Sequence, residues 1–184
     1  GFMLIHLSEK NETIAIDYRE RAPIQSSEKM FQDQDGNVIN GLSLNSTLAS
    51  GVPGTVSGMF YVSEKFGIKN IKSLINPSVD IAKKGFILSK FQASNLNKYK
   101  EKFLKNPEAK EIFTRTEGFS EGDILIQKNL ANTLSRIAKN GKEEFYLGET
   151  AKKISSFYKK NKGILSFEDL KPVSYTHLTL PTNA

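Results

Sequence analysis

The sequence predicts an α/β (α+β) protein in which a β-hairpin is followed by a mostly helical layer. Two β-rich runs, 2–7 and 13–18, flank turn-type residues at 8–11, which is the pattern of a hairpin. From residue 69 onward, apolar residues recur at helical spacing between capping residues and glycines. A hydrophobic content of 38% with 25% charged residues is typical of a folded globular protein.

The first predicted strand is apolar apart from His6, and the second ends in the charged run 17–21. Near-continuous apolar strands are typical of a sheet covered on both sides, so we expect both faces of the hairpin to be buried. His6 is expected to be a packed or edge residue, because no second histidine lies near it in the sequence. Pro23 prevents the second strand from continuing as a central strand.

The charged run provides the candidate binding residue. Arg19 lies just after a predicted strand, and loops at strand ends are where rigid folds present binding groups. The alternative is that Arg19 only pairs with Asp17 or Glu20 at the surface, and exposed pairs contribute about 1 kcal/mol at most. Taken alone, the residues favour this alternative, because exposed ion pairs are common. Arg21 carries a further positive charge in the same run.

A glycine-rich stretch, 48–58, leads into the next predicted helix and has glycines at positions 51, 54 and 58. Ser50 or Gly51 can cap this helix, Pro53 suits its first turn and Gly67 ends it. The glycines allow either close packing of the helix or contact with an anion at its N-terminus, and packing is favoured. The spacing matches neither a phosphate-binding loop nor the dinucleotide fingerprint.

Further helices are predicted at 24–31, 76–84, 89–99, 106–112, 128–139 and 149–161, with a last turn at 166–169. Asn76-Pro77 and Asn106-Pro107 are predicted helix starts, and Ser166 begins a capping box. Glu168-Asp169 is interpreted as helix N-terminal charge and not as an acid–base pair, because sequence neighbours do not face each other on a helix.

Composition narrows the possible partners. The net charge is +6, but the lysines are interleaved with glutamates and form no dense basic block, so no nucleic-acid partner is expected. The absence of cysteine excludes disulfides and thiolate metal sites. The acidic cluster 33–37 lacks the spacing of a calcium loop, so no metal or cofactor is expected. No apolar run approaches the ~20 residues that a membrane span needs.

Both ends of the chain call for separate predictions. Residues 174–184 contain no Lys, Arg, Asp or Glu and resemble translated vector or adaptor sequence, so we predict a native region 1–173 and a non-native tail 174–184. The chain opens inside an apolar run without Met, and we expect its natural N-terminus to lie upstream.

Six blocks resemble, in order, the large subunit of the γ-glutamyltransferase (glutathione hydrolase) family: 2–5, 17–23, 49–58, 77–86, 144–148 and 163–170. The resemblance implies part of an N-terminal-nucleophile hydrolase αββα sandwich, made as a precursor that cleaves itself. It also implies that the new N-terminal Thr of the small subunit attacks the γ-glutamyl amide of glutathione. The γ-glutamyl group then passes to water, an amino acid or a peptide.

The resemblance implies that Arg19 binds the α-carboxylate of the γ-glutamyl group. A guanidinium can bind a carboxylate through two parallel hydrogen bonds. It implies no catalytic residue in this chain, because the nucleophile and the oxyanion donors belong to the small subunit. Thr47 and Thr55 lie mid-chain and lack the free α-amine that activates such a nucleophile. The implied partners are glutathione, other γ-glutamyl compounds and the chain's own small subunit, in a periplasmic or secreted location.

Two other functions stay open on the sequence. One is an acylase of the same fold, of the cephalosporin acylase or poly-γ-glutamate depolymerase type, which the residues of the small subunit would distinguish. The other is a noncatalytic binding module that uses the basic surface, for which strong and salt-sensitive binding of nucleic acid would be the sign.

Overall fold

A computed structural model describes residues 1–174 and 178–181. The chain forms two compact units, one made of residues 1–70 with the chain from Asn140 onward, and the other of Ile71–Lys139. The order of elements, a hairpin followed by mostly helical chain, confirms the predicted α/β class. No helix in the described residues is long and apolar enough to cross a membrane.

The strands are β1 (Phe2–Leu7), β2 (Glu12–Asp17), β3 (Phe86–Ile87), β4 (Ile124–Leu125) and β5 (Leu178–Pro181). The helices of the described residues are α1 (Leu42–Asn45), α2 (Thr55–Phe66), α3 (Ile71–Lys84), α4 (Lys90–Lys98), α5 (Lys100–Phe103), α6 (Pro107–Phe113), α7 (Lys128–Asn140), α8 (Lys142–Tyr146), α9 (Glu149–Lys160) and α10 (Phe167–Leu170). Strands β1, β2 and β5 form one antiparallel sheet in the order β1-β2-β5, and β3 pairs with β4 in a second.

The predicted hairpin is present, with a register that runs from Phe2 opposite Asp17 to Leu7 opposite Glu12. The prediction that both of its faces are buried is wrong, because Phe2 and Leu4 are 67% and 72% exposed. Side chains of a strand alternate between two faces, and the described residues supply a covering layer for one face only. His6 is exposed at the edge of the sheet, and its Nδ1 lies 3.1 Å from the Thr13 hydroxyl.

Strand β5 lies within the tail 174–184 that the sequence predicts to be non-native, and it pairs antiparallel with β2. Residues 175–177 and 182–184 of that tail lie outside the described residues. The native region 1–173 and the non-native origin of the tail stay predictions.

The helix predicted at 24–31 is wrong. This segment forms separate turns, in which the amide of Ser26 donates to the Pro23 carbonyl and the amide of Met30 to the Ser27 carbonyl. The amide of Ile24 donates instead to a carboxylate oxygen of Asp169, at 2.6 Å. This contact ties the start of the segment to α10.

Two predicted helix starts also need correction. Helix α3 begins at Ile71 and not at Asn76, so Pro77 lies inside it. Proline lacks one amide proton but has a φ close to helical, so the helix gives up one hydrogen bond at Pro77 and continues. Helix α2 begins at Thr55 with Gly54 as its N-cap, later than the predicted caps Ser50 and Gly51.

The other predicted helices are present within a residue or two of their expected limits. Ser89 caps α4 through a capping box with Gln92, and Asn106 caps α6 with Pro107 in its first turn. Helices α7 and α9 follow the apolar spacing predicted for them. The sequence analysis missed β3 and β4, because a strand of two residues shows no alternation to detect.

Each unit has its own buried cluster. In the first unit the buried members are Val52, Tyr146, Ala151, Leu165, Leu170 and Val173. In the second unit they are Leu88, Ala93, Phe119 and Leu125. The first cluster draws together the chain before α2, helices α8, α9 and α10, and the residues after α10, so it fixes the surroundings of the glycine-rich stretch.

Asp169 ties α10 to a distant part of the first unit. Its carboxylate accepts hydrogen bonds from the amide and hydroxyl of Ser166, as the predicted capping box requires, and from the amide of Ile24. Burial alone would raise the pKa of Asp169, but these hydrogen bonds outweigh it and lower the pKa below its ordinary value of 3.8. The ionised carboxylate therefore stabilises the folded chain.

We expect Asp169→Asn to lower the free energy of unfolding of the chain by about 1–3 kcal/mol, because an amide accepts fewer of these hydrogen bonds than a carboxylate. A group with a lowered folded pKa stabilises above its unfolded pKa, and this stabilisation is lost as pH falls through the folded pKa. Urea denaturation of the wild type should therefore show a fall in the free energy of unfolding below about pH 4. In the variant, the part of this fall that comes from residue 169 should be absent.

Glu168→Gln is the matched control, because Glu168 is the adjacent carboxylate and pairs, among the described residues, with the exposed Lys171. We expect its effect to stay within about 0.5 kcal/mol. Equal losses in the two variants would contradict the role given to Asp169.

Candidate functional site

The charged run 17–21 turns sharply away from the sheet. The backbone amide of Arg19 donates to the Asp17 carboxylate at 2.9 Å, which closes a local turn where β2 ends. Two residues later, Arg21 and Val52 exchange both backbone hydrogen bonds, at 3.2 and 2.8 Å, as an isolated antiparallel bridge. The sequence analysis treated these two stretches separately, and the structure brings them together.

The three glycines of the stretch 48–58 pack against the charged run. A Cβ atom on Gly54 would lie 2.5 Å from the Tyr18 carbonyl oxygen and 2.9 Å from that of Arg19. A Cβ on Gly51 would lie 2.8 Å from the side chain of Glu20, and one on Gly58 would overlap the Tyr18 ring. Of the two alternatives left open, close packing is therefore confirmed: Gly54 admits the backbone of Tyr18 and Arg19, and Gly51 and Gly58 admit the side chains of Glu20 and Tyr18.

A cavity of about 120 Å³ lies where the two stretches meet. Its lining includes the whole run from Asp17 to Arg21, together with Gly54, Ser57 and Gly58. Two arginines of the run therefore border one small cavity whose floor is the start of a helix. The carboxylates of Asp17 and Glu20 also border the cavity, so its charge is mixed, and partial positive charge at the helix N-terminus adds to that of the arginines.

The guanidinium of Arg19 is only lightly held. Its Nη2 lies 3.9 Å from a carboxylate oxygen of Glu20, and the two side chains are 56% and 57% exposed. Its Cζ lies 5.5 Å from the centre of the Phe2 ring. An exposed ion pair at this distance contributes little free energy, so the guanidinium can exchange Glu20 for another carboxylate.

The start of α2 is held from below by Tyr146, which is fully buried. The Tyr146 hydroxyl accepts a hydrogen bond from the Ser57 amide at 3.1 Å and donates one to the Pro53 carbonyl at 2.8 Å. Burial raises the pKa of Tyr146 to about 12, so the hydroxyl keeps its proton at neutral pH. The sequence analysis placed this residue inside the family-like block 144–148 but did not single it out, because a lone tyrosine gives no signal of such a role.

The described residues contain no group of three or more His, Cys, Asp or Glu side chains that could hold a metal ion. Thr47 donates its hydroxyl proton to the Asn161 carbonyl, and Thr55 occupies the exposed first turn of α2. Neither threonine carries a free α-amine. Within the described chain, the site therefore offers arginines that can bind an anion, but no N-terminal threonine that could act as a nucleophile.

We expect Gly58→Ala to lower the free energy of unfolding of the chain by about 1–2 kcal/mol, although alanine is the better helix former. The added methyl group would overlap Cβ and Cγ of Tyr18, which lie close to the backbone and cannot swing aside. Urea denaturation measures the change.

Thr55→Ala is the control, because it raises helix propensity at an exposed position of the same helix. We expect Thr55→Ala to be neutral or slightly stabilising. A Gly58→Ala chain more stable than the wild type would show that the glycine is not needed for close approach.

Comparison with known proteins adds independent findings. A sequence model described as gamma-glutamyltranspeptidase matches residues 1–177. A glutathione hydrolase proenzyme of Escherichia coli (strain K12) is 42% identical over 172 residues, which is 92% of this chain and 30% of that protein. The chain thus spans about 30% of the length of the curated relatives it matches.

Solved structures point to the same family. The γ-glutamyltranspeptidase of Helicobacter pylori matches with a TM-score of 0.91 and 41% identity, over 97% of this chain and 51% of that one. A cephalosporin acylase of Bacillus halodurans matches with a TM-score of 0.78 over 97% of this chain and 34% of that one, but at 19% identity, which indicates a shared fold and nothing more. These matches confirm the fold that the sequence blocks implied.

Proposed function

The chain belongs to the gamma-glutamyltranspeptidase family, and we propose on that premise that it binds the α-carboxylate of a γ-glutamyl substrate through Arg19. The complete protein then cleaves the γ-glutamyl amide of glutathione and related compounds and transfers the γ-glutamyl group to water, amino acids or peptides. The observation that carries the proposal is the position of Arg19 on a small cavity between the charged run and the start of α2.

The chemistry of the cavity suits a carboxylate. A guanidinium offers two parallel N–H donors, which match the two oxygens of a carboxylate. A hydrogen bond to a charged group contributes about 1.5–3 kcal/mol, whereas the exposed pair with Glu20 contributes about 1 kcal/mol at most. The paired geometry lets a substrate carboxylate compete with Glu20 for the guanidinium. The Phe2 ring restrains the guanidinium on one side.

The reaction itself belongs to residues outside this chain. In the proposed mechanism, a threonine hydroxyl at the new N-terminus of the small subunit attacks the amide carbonyl, and its own α-amine takes the proton. Hydrogen-bond donors stabilise the oxyanion, the amine product leaves with a proton, and an acyl-enzyme ester remains. Water or an acceptor amine then attacks the ester and releases the γ-glutamyl group. The word proenzyme in the relatives' names supports a self-cleaving precursor.

Arg19 has a positioning role in this scheme. The substrate's own carbon chain sets the distance from the α-carboxylate to the γ-carbonyl, so an arginine that fixes the carboxylate also places the reacting carbon where the nucleophile can reach it. Cleavage of the precursor involves no substrate carboxylate, and it should not depend on Arg19. The periplasmic or secreted location implied by the resemblance stays a prediction.

An acylase of the same fold is the second candidate that the sequence leaves open, and the likeness to a cephalosporin acylase bears on the fold alone. Acylation of a substrate without a free α-carboxylate gives no reason to hold an arginine on this cavity. Faster hydrolysis of a γ-glutamyl anilide than removal of the acyl side chain from a cephalosporin would favour the first candidate.

We expect Arg19→Lys, in the complete protein, to raise the KM for γ-glutamyl p-nitroanilide about tenfold or more, because an ammonium cannot form the paired hydrogen bonds. Self-cleavage into two subunits should be unchanged on a denaturing gel. Steady-state release of p-nitroaniline measures the effect.

Arg136→Lys is the matched control, since Arg136 lies on α7 and does not line the cavity. Its kinetics should equal those of the wild type. If Arg19→Lys also equals the wild type, Arg19 does not bind the substrate; if the wild type itself lacks activity on the anilide, the proposed function fails.

A further inference from the structure

The hydroxyl of Tyr146 forms two hydrogen bonds to the backbone at the start of α2. It lies fully buried, with the Ser57 amide 3.1 Å away as donor and the Pro53 carbonyl 2.8 Å away as acceptor. A phenol has one proton to donate, and here that proton goes to Pro53 while a lone pair takes the Ser57 amide. One oxygen therefore joins the residue before the N-cap to the first turn of the helix.

This link replaces an ordinary helix cap. The first amides of a helix have no partner within the helix, and a Ser, Thr, Asp or Asn at the N-cap usually satisfies one of them. The N-cap of α2 is Gly54, which has no side chain to do so. Ser57 itself is buried, and its hydroxyl donates to the Val173 carbonyl. Tyr146 supplies from α8 the acceptor that the N-cap lacks.

The position of the helix start matters because the backbone of Arg19 packs against it. Gly54 lies between Pro53 and Ser57, and its α-carbon faces the carbonyls of Tyr18 and Arg19 so closely that a methyl group would not fit. A shift of the helix start towards these carbonyls therefore presses on the backbone that carries the guanidinium.

We propose that Tyr146 is a positioning residue for substrate binding, which sets the place of Arg19 through the start of α2. The inference rests on the proposed function and extends it to a residue that lines no part of the cavity. The competing explanation is that Tyr146 only fills the core beside Val52, Ala151 and Leu165. A core role would change stability alone, whereas a positioning role changes the preference for substrates that carry an α-carboxylate.

The test is Tyr146→Phe in the complete protein, because this change removes the hydroxyl and keeps the buried ring. Two anilides are compared: γ-glutamyl p-nitroanilide and 4-aminobutyryl p-nitroanilide, which lacks the α-carboxylate. We expect the KM for the first to rise about three- to tenfold with kcat within about twofold, and the ratio of kcat/KM between the two anilides to fall by the same factor.

Tyr158→Phe is the matched control. Tyr158 packs against the same core cluster, and its hydroxyl makes no hydrogen bond within the described part of the chain. The ratio between the anilides should stay at the wild-type value. If Tyr146→Phe also leaves that ratio unchanged while its melting temperature falls, Tyr146 serves the core alone and the proposal is overturned.

Gly54→Ala keeps the test decisive if Tyr146→Phe does not fold. It leaves Tyr146 intact and presses a methyl group against the carbonyls of Tyr18 and Arg19. We expect the same fall in the ratio between the anilides, and an unchanged ratio would break the link between the helix start and Arg19. A wild-type enzyme active on the γ-glutamyl anilide in the same assay would show that only this inference has failed.

Discussion

The close approach of the charged run to the first turn of α2 is the contact on which the rest of the site depends. The backbone of Tyr18 and Arg19 lies on Gly54, and the bridge between Arg21 and Val52 holds the two stretches in register. Only hydrogen atoms at the glycine α-carbons leave room for this contact. Because the backbone of Arg19 is fixed in this way, its side chain can stay exposed and weakly paired and still be presented from a defined position.

Support for that contact comes from buried or partly buried hydrogen bonds, not from exposed charges. Tyr146 fixes the start of α2 from beneath, and Asp169 draws the chain beyond Pro23 towards α10 through the Ile24 amide. The ion pair of Arg19 with Glu20 is long and solvated, and it adds little to stability. Stability and binding are thus separated: buried polar groups hold the scaffold, while the charged run remains free to change partners.

The sequence predicted the elements better than it predicted their contacts. Capping residues located α4, α6 and α10, since caps are local signals that the fold preserved. The pattern of segment 24–31 did not reveal that it forms separate turns, whose first amide bonds to the distant Asp169. Arg19 was found from its place after a strand and from family resemblance. Tyr146 was missed, and the glycines stayed ambiguous, because both act on chain segments that only the tertiary structure brings together.

The central claim is that Arg19, fixed over the start of α2, binds the α-carboxylate of a γ-glutamyl group. The most direct measurement is a crystal structure of the complete protein with L-glutamate bound. The account predicts two hydrogen bonds of about 2.7–2.9 Å from the Arg19 guanidinium to the α-carboxylate, with Glu20 displaced from its present contact. Glutamate bound with its α-carboxylate on other residues, and Arg19 still paired with Glu20, would contradict it.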